Sequence, residues 1–360
     1  TCDSGQSGPK ATIYLNNFRS IRRMAFGGYL GLAEGYLAGD WSTPSLRDLF
    51  DFGTANINQL DSNLSGNAIL RINNSIKHCI RRNSREGSRK NIAEHYDLGN
   101  RFFEMWLDPS MTYSSALYQG ENLTLAEAQK AKYKRIMDKL DIRSHHHVLE
   151  IGCGWGGFIE FAAIETGARF TAITISREQY DFACTRIKKA GLSDLVDIQL
   201  LDYRDLSGHF DRIVSIEMLE AVGEDYWPEY FQVVSNCLKT GGSAMIQVIT
   251  VADEYFEEYR GSVDFIQRYI FPGGMLLSSE TMKQLTVRAG LQLENNFMFG
   301  TDYARTLDQW QNEFQQRWTN IKSKGFDEHF KRMWEYYLAY TSAGFRAGTI
   351  NVGQFLLRKP

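Results

Sequence analysis

The sequence predicts an α/β fold with a parallel sheet covered by helices on both faces, preceded by a mainly helical segment. Two observations carry this prediction. From residue 148 onward, short β-branched runs alternate with stretches of helical length, which is typical of parallel strands joined by helical crossovers. Before that point, the first stretch of the chain has apolar residues at helical spacing instead. A chain of 360 residues is also long enough for two domains.

The first 80 residues are predicted to form a small helical N-terminal domain. Apolar side chains recur at mixed helical spacing between residues 18 and 41, and Gly27-Gly28 interrupts them. A Thr-Pro-Ser sequence ending at Ser45 resembles a helix N-cap and predicts a second helix directly after it.

A basic segment follows this helical region. Between Lys77 and Lys90, six basic residues face the single acid Glu86. This change in composition predicts a linker over residues 81–90, which separates the domain of residues 1–80 from a larger one of residues 91–360. The basic cluster has two interpretations. It is either a solvated linker or a contact for anionic lipid headgroups, where each basic residue near the surface contributes about 1 kcal/mol.

The region after residue 147 is predicted element by element from its apolar runs. Predicted strands span residues 148–151, 170–175, 196–200, 212–216 and 243–251. Predicted helices span residues 158–166, 177–190 and 226–238. Strands separated by single helical crossovers indicate a doubly wound, Rossmann-like sheet.

Composition narrows the classes of function. Hydrophobic residues make up 43% of the chain, so a disordered protein is excluded. Forty basic against 43 acidic residues leave a net charge of −3, which disfavours nucleic acid as a partner. The 22 Phe, 18 Tyr and 7 Trp are more than packing alone demands, and they suit an apolar or cationic ligand.

The sequence also predicts the cellular compartment of the protein and the absence of a metal site. No apolar run approaches the roughly 18 residues that span a bilayer, and no signal peptide opens the chain. Five cysteines without CxxC spacing indicate reduced thiols in a cytosolic compartment. A metal site is not expected, because the run from His145 to His147 has no partner cluster of ligands.

The strongest single motif is a glycine-rich turn after the predicted strand 148–151. Residues 150–157 read Glu-Ile-Gly-Cys-Gly-Trp-Gly-Gly. Glycines such as Gly152 and Gly154, at the opening of a helix, let the backbone approach an adenosyl ligand closely. The acid Glu150 suits a cationic ligand, which is characteristic of S-adenosylmethionine sites. A structural glycine turn of an ordinary α/β fold is the alternative interpretation.

The ends of the next two predicted strands supply further candidates for binding the cofactor. A ribose site usually has an acid at the second strand end, and here the hydroxyl of Thr174 and the amide of Gln179 can substitute. Asp202 and Tyr203 follow the third strand, where an acid suits the exocyclic amine of adenine and a tyrosine can stack on the ring. Asp202 and Arg204 have a second interpretation as a capping or pairing couple on the surface.

Taken together, these motifs resemble the cyclopropane-fatty-acyl-phospholipid synthases and their mycolic acid relatives. The matching segments are residues 31–36, 91–100, 111–116, 151–157, 174–179, 210–215, 268–274, 302–303 and 330–338. They cover essentially the whole chain in order. The resemblance implies a Rossmann-like class I methyltransferase domain that follows the helical N-terminal domain.

The resemblance also implies a reaction. The methyl group of S-adenosylmethionine passes to the cis double bond of an unsaturated phospholipid acyl chain, leaving a carbocation. Loss of a proton from the new methyl group closes a cyclopropane, which is the favoured product. The alternatives are a methylene or methyl-branched chain, another unsaturated substrate, or a catalytically impaired homologue that only binds lipid.

In the family, a bicarbonate ion is thought to be the base, held by a Cys, a Glu, a His, an Ile amide and a Tyr. This chain keeps Glu220, the amide of Ile249 and the phenol of Tyr303 at the matching positions. Ser115 stands where the family usually has Cys, and Gln247 stands where it has His. Both can donate hydrogen bonds to an anion, but glutamine cannot carry a charge or shuttle a proton. Bicarbonate binding and the fate of the cation are therefore left open.

The resemblance completes the assignment of the site and its partners. Tyr113 and Ser114 join the residues expected to bind the methyl donor. The segment of residues 252–275, rich in Tyr, Phe and charge, is expected to cover the active site or to be a plain packing helix. The expected partner is unsaturated phospholipid at the membrane surface. The protein is therefore expected to be a cytoplasmic enzyme that associates with the inner face of the membrane. Related enzymes suggest that it forms a homodimer.

Overall fold

The computed structural model describes residues 8–56, 87–88, 98–120 and 122–360. Nearly all of the predicted linker over residues 81–90 lies outside these residues, as do all six basic residues of the cluster. The boundary between the two predicted domains therefore stays a prediction. In the described part, eight strands form one mixed sheet and two short strands pair separately.

The described strands are β1 (Tyr14–Leu15), β2 (Trp41–Ser42), β3 (His147–Ile151), β4 (Arg169–Thr174), β5 (Val196–Leu200), β6 (Phe210–Ile216), β7 (Leu238–Val251), β8 (Leu277–Ser278), β9 (Gln292–Met298) and β10 (Ile350–Arg358). The described α-helices are α1 (Arg19–Leu37), α2 (Leu46–Ala55), α3 (Asn100–Phe103), α4 (Leu125–Leu140), α5 (Gly157–Thr166), α6 (Arg177–Lys189), α7 (Trp227–Cys237), α8 (Phe256–Arg260), α9 (Ser279–Arg288), α10 (Gly300–Gln316), α11 (Trp318–Lys322) and α12 (Glu328–Ala347). A π-helical turn spans Ile266–Ile270.

The main sheet has the strand order β5-β4-β3-β6-β7-β10-β9, with β8 beside β7. The pairs from β5 to β7 are parallel, and β10 runs antiparallel to both β7 and β9. From β3 the chain builds outward to β5 and then returns to place β6 on the other side of β3. The sheet therefore has its topological switch point between β3 and β6, where open α/β sheets bind their ligands.

Both faces of the parallel sheet are covered, as the sequence predicts. Helices α4, α5 and α6 contribute to the hydrophobic cluster on one face, and α7 and α9 contribute to the cluster on the other. Burial on both faces explains why the strands read as short continuous apolar runs. One boundary was wrong: β7 begins at Leu238 rather than at residue 243. Leu238 pairs with Phe210, and a register shift after Phe210 accommodates Gly241-Gly242 within the strand.

The N-terminal helices pack on the last long helix. The ring of Phe50 on α2 lies edge-on to Tyr336 on α12, with centroids 4.9 Å apart. Arg346 of α12 pairs with Asp51 of α2 at 2.9 Å. The predicted cap of α2 is confirmed, because Ser45 Oγ accepts a hydrogen bond of 3.1 Å from the amide of Asp48. The predicted break in α1 is also confirmed, because Gly28 has a φ of +56° within the helix.

No described helix combines the length and the apolar character that a membrane crossing requires.

Candidate functional site

A cavity of about 790 Å³ opens at the carboxyl ends of the parallel strands, on the switch point between β3 and β6. The predicted residues that line it are Tyr113, Ser114, Gly152, Gly154, Thr174, Gln179, Asp202, Tyr203, Glu220, Ile249 and Tyr303. Ser115 and Gln247 are fully buried and lie behind the wall of the cavity. The structure thus brings most of the predicted site residues around one cavity.

The turn after β3 favours glycine at its first position, Gly152, for conformational and steric reasons. Gly152 has a φ of +82°, and a Cβ there would lie 2.7 Å from Cγ of Met218. Gly154 has a φ of +53°, and a Cβ there would meet no atom within 4 Å. L side chains rarely adopt such angles, so both positions favour glycine on conformational grounds. The open space beside Gly154 leaves the backbone of the turn accessible from the cavity.

The wall beside β4 is fixed by a buried pair of polar side chains. The hydroxyl of Thr174 donates to Oε1 of Gln179 at 2.9 Å. Gln179 lies in the first turn of α6, and Ser176 is the N-cap of that helix. The hydroxyl oxygen of Ser176 accepts a hydrogen bond of 3.3 Å from the backbone amide of Gln179. The helix cap and the threonine together hold the glutamine side chain at the cavity wall.

Asp202 and Arg204 pair with each other below the surface. Nε of Arg204 donates to Oδ1 of Asp202 at 2.9 Å, and Nη2 donates to Oδ2 at 2.7 Å. Both side chains are almost completely buried, so the surface interpretation of this couple was wrong. Tyr203 lies between them in sequence, lines the cavity and packs edge-on against Tyr230 at 5.5 Å. Contacts of Asp202 and Tyr203 with adenine stay predictions.

A buried lysine lies behind the segment of Tyr113 and Ser114. Nζ of Lys132, on α4, donates to Oγ of Ser114 at 2.7 Å. Burial lowers the pKa of Lys132 to about 7, although the charges of Glu217, Asp108 and Glu150 oppose that shift. Burial likewise raises the pKa of Glu150 to about 8, against the charge of Lys132. The sequence did not reveal this lysine, because α4 carries several lysines and only packing separates the buried one.

The centre of the site is the carboxylate of Glu217, which the sequence analysis did not single out. Its Oε1 accepts hydrogen bonds from the amide of Ser115 at 2.9 Å and from Nε2 of Gln247 at 2.8 Å. Its Oε2 accepts from the hydroxyl of Tyr303 at 2.6 Å. Three of the groups predicted to hold an anion therefore hold this side chain. A signal existed: Glu217 directly follows the buried parallel strand β6, and the acid Glu150 lies near the end of the neighbouring strand β3.

The donors to Glu217 are themselves oriented by their neighbours. Oε1 of Gln247 accepts from Nε2 of Gln354 at 3.0 Å, which directs the amide nitrogen of Gln247 toward the carboxylate. Arg135 donates in turn to Oε1 of Gln354. The hydroxyl of Ser115 donates to the carbonyl of Ala116 at 3.0 Å, so Ser115 serves Glu217 through its backbone amide alone.

Glu220 is a second carboxyl group in the same site. Its Oε1 accepts from the amide of Ile249 at 2.7 Å. Its Oε2 is buried without a hydrogen-bond partner among the described residues. Burial, and next the charge of Glu217, raise the pKa of Glu220 to about 8. Two carboxyl groups that share a site and differ in their hydrogen-bond partners can take different chemical roles.

Burial keeps the pKa of Glu217 above its ordinary value and the pKa of Tyr303 well above its own. Burial raises the pKa of Glu217, while the charge of Lys132 and the hydrogen bonds from Tyr303, Gln247 and Ser115 lower it. Burial and the charge of Glu217 raise the pKa of Tyr303 well above its ordinary value, so this group stays a phenol.

Comparison with known proteins identifies the family. A family model described as mycolic acid cyclopropane synthetase matches residues 83–355, about three quarters of the chain. The chain belongs to the mycolic acid cyclopropane synthetase family.

Relatives in this family match most of the chain. Tuberculostearic acid methyltransferase UfaA1 of Mycobacterium tuberculosis is 37% identical over 98% of this chain and 85% of its own length. The cyclopropane-fatty-acyl-phospholipid synthase of Escherichia coli K12 is 35% identical over 97% of this chain and 88% of its own length. The mycolic acid cyclopropane synthase CmaA1, solved with SAH and CTAB, has a TM-score of 0.71 at 28% identity, covering 75% of this chain and 98% of that one.

Membership of the mycolic acid cyclopropane synthetase family decides the class of enzyme. The protein is an S-adenosylmethionine-dependent methyltransferase with the Rossmann-like class I fold, as predicted. The methyl donor fits the residues present, because the glycine turn offers accessible backbone and the acid Glu150 lines the same cavity. The individual roles of the site residues stay predictions.

Proposed function

We propose that this enzyme transfers the methyl group of S-adenosylmethionine to the cis double bond of an unsaturated phospholipid acyl chain and closes a cyclopropane ring. The observation that supports this most is the extent of the cavity. It runs from the glycine turn and the two carboxyl groups to the N-terminal helices α1 and α2. One opening can therefore hold a cofactor at one end and a long apolar chain along the rest.

The far part of the cavity has the chemistry of an acyl-chain site. Its walls there are formed by apolar side chains of the N-terminal segment, among them Ile13, Met24, Leu49, Phe50 and Phe52. The segment of residues 252–275 lines the same cavity, and Tyr269 ties it to α1 through a 2.8 Å hydrogen bond to Glu34. Apolar lining with few polar groups suits a lipid tail rather than a polar substrate.

The outer surface near this end suits a membrane. Phe18 is 88% exposed and Phe26 is 56% exposed, and Tyr14 and Leu15 are exposed beside them. Arg19 and Arg22 are exposed on the same helix. Exposed aromatic and apolar side chains mixed with arginines are typical of surfaces that enter the interface of an anionic bilayer. We therefore infer peripheral association through α1, with the acyl chain entering at this end.

The reaction requires positioning and charge stabilisation. An isolated double bond is a poor nucleophile, so holding it in line with the sulfonium methyl supplies several kcal/mol. The carbocation that follows can be stabilised by aromatic faces and a carboxyl group in a dry site. Tyr113 supplies such a face, packed 5.2 Å from Trp310 and 6.4 Å from Phe271. Glu220, with one unpartnered oxygen, supplies the carboxyl group.

The decisive experiment incubates the purified enzyme with methyl-deuterated S-adenosylmethionine and vesicles of cis-unsaturated phosphatidylglycerol. We expect S-adenosylhomocysteine release and a labelled acyl chain that has gained one carbon and lost its double bond. Vesicles of saturated phosphatidylglycerol are the control. A labelled chain that keeps a double bond would contradict ring closure, and an unlabelled chain would contradict methyl transfer to phospholipid. Sedimentation of the pure protein tests the predicted homodimer.

A further inference from the structure

We propose that the carboxylate of Glu217 is the base that removes the proton from the carbocation, in place of a bicarbonate ion. This proposal rests on the proposed function, because it names the base for that reaction. It makes the enzyme independent of bicarbonate.

The donors expected to hold an added anion are already engaged by Glu217. The amide of Ser115 and the hydroxyl of Tyr303 each have one hydrogen to donate, and both donate to Glu217. Nε2 of Gln247 also donates to this carboxylate. A carboxylate has the same planar O–C–O group as bicarbonate. The side chain therefore takes up the hydrogen bonds that an added anion would need.

The backbone of Glu217 adopts an uncommon conformation. Glu217 has a φ of +50°, the left-handed conformation that L residues other than Gly, Asn and Asp seldom adopt. This conformation costs about 1–2 kcal/mol, and it persists because the surrounding structure holds it. The amide of Glu217 donates to the carbonyl of Gln247 at 2.8 Å. The strained backbone directs the carboxylate to the donors at the cavity wall, and such strain is concentrated at functional sites.

Position 247 holds a glutamine rather than a histidine. A histidine there could take up the proton itself, whereas the amide of Gln247 can only donate to the carboxylate. The contacts with Gln354 and Arg135 fix that direction. Lys132 is the buried cation that opposes protonation of Glu217. The groups around Glu217 thus favour a carboxylate, and none of its direct donors competes for the proton.

The step balances in atoms and charge. The π electrons of the double bond form the new bond to the methyl carbon, and the electrons of the S–CH3 bond stay on sulfur. The carboxylate of Glu217 then takes a proton from the new methyl group, and the electrons of that C–H bond close the ring. Sulfonium and carboxylate become neutral thioether and neutral carboxylic acid. Glu217 returns the proton to water that enters when the products leave.

The first test replaces the base without changing its shape. Glu217→Gln keeps the volume but cannot accept a proton, and we expect turnover to fall by about 10²–10⁴-fold. Binding of S-adenosylmethionine should be unchanged. The matched control is Glu165→Gln, an exposed glutamate at the end of α5 outside the cavity lining, which should keep full activity. A Glu217→Gln enzyme with wild-type turnover would overturn the proposal.

The second test makes room for the external base. Glu217→Gly suits the positive φ and leaves three donors facing an empty space. Added bicarbonate, acetate or formate should restore turnover of this variant by at least about 10-fold. The wild type should keep full turnover in buffer freed of carbon dioxide. A wild type that stops there and recovers with bicarbonate would overturn the proposal.

A binding measurement separates this proposal from the proposed function. ¹³C-labelled bicarbonate, followed by NMR, should bind to Glu217→Gly and not to the wild type, whatever lipid the enzyme methylates. Bicarbonate bound by the wild type at this site would refute the assignment of Glu217. A wild type that leaves unsaturated phospholipid unmodified would refute the proposed function alone.

Discussion

Replacing Glu220 by glutamine is expected to stabilise the folded protein more and more as the pH rises. A glutamic acid side chain ordinarily ionises near 4.5, whereas burial and the charge of Glu217 hold the pKa of Glu220 at about 8. Between these values the folded protein keeps a proton that the unfolded chain releases, so stability falls as the pH rises. Each pH unit of that interval costs about 1.4 kcal/mol. Relative to wild type, Glu220→Gln should therefore gain about 4 kcal/mol from pH 5 to pH 9.

Glutamine is the right replacement because it keeps the contact that the structure shows. Its Oε1 can still accept from the amide of Ile249, and its amide nitrogen replaces an oxygen that has no partner among the described residues. Urea unfolding of both proteins at about pH 5, 7 and 9 measures the difference. Other buried acids cancel in this comparison because both proteins contain them.

The reasoning would be refuted by a difference in unfolding free energy that does not change with pH. A further variant tests the cause of the high pKa. Glu217→Gln removes the neighbouring charge, so in that background the pKa of Glu220 should fall and the effect of Glu220→Gln should shrink. An effect of unchanged size would leave burial as the cause and exclude coupling between the two carboxyl groups.

Three further substitutions have defined outcomes. Gly152→Ala should lower the free energy of unfolding by about 1–2 kcal/mol, because alanine is strained at the positive φ of this position. It should also weaken S-adenosylmethionine binding, measured by calorimetry, at least about 10-fold, because the added Cβ displaces Met218. Phe18→Ser with Phe26→Ser should weaken binding to anionic vesicles about 10²–10⁴-fold by co-sedimentation, since each of the two exposed rings can bury apolar area worth about 1.5–3 kcal/mol. Lys132→Met should lower turnover near pH 7, because it removes a charge that lowers the pKa of Glu217. That loss should disappear near pH 9, where Lys132, with a pKa of about 7, has lost its own charge.

Two of these variants have a matched control. Gly191 has a φ of +71°, and a Cβ there would meet no atom within 4 Å. Gly191→Ala should therefore lose stability through backbone strain but keep its affinity for the cofactor. Ile164→Ser removes a side chain that is also exposed but lies on α5, so vesicle binding should not change. If Gly191→Ala weakened cofactor binding equally, the steric argument for Gly152 would fail. Equal activity of Lys132→Met and the wild type at neutral pH would exclude a role of Lys132 in keeping Glu217 ionised.

The parallel part of the sheet could be predicted because its signals are local. Each strand buried on both faces is a short apolar run, and the glycine turn after β3 lies within one sequence segment. The antiparallel strands β9 and β10 were not predicted. β10 is the last strand of the chain, and it pairs with β7 about a hundred residues earlier in the sequence. No local pattern reveals a partner at that distance.

The site shows the same limit at the level of single side chains. Glu217 and Glu220 lie three residues apart after the same strand, and the resemblance singled out Glu220. Their different contacts depend on the positive φ of Glu217. A positive φ at a glutamate cannot be predicted from the sequence, because no glycine marks the position. Lys132 was missed for a related reason, since its burial arises from the packing of α4 against the site.

Ser115 and Gln247, which depart from the family pattern, have one common explanation, because both donate a hydrogen bond to the carboxylate of Glu217. A serine at position 115 keeps the backbone amide that Glu217 uses, and its small hydroxyl bonds elsewhere. A glutamine at position 247 supplies a neutral donor that cannot compete for a proton. Each change weakens a site for a free anion when taken alone. Beside a carboxylate supplied by the chain itself, both changes fit, which is why the departures at these two positions favour an internal base over a loss of activity.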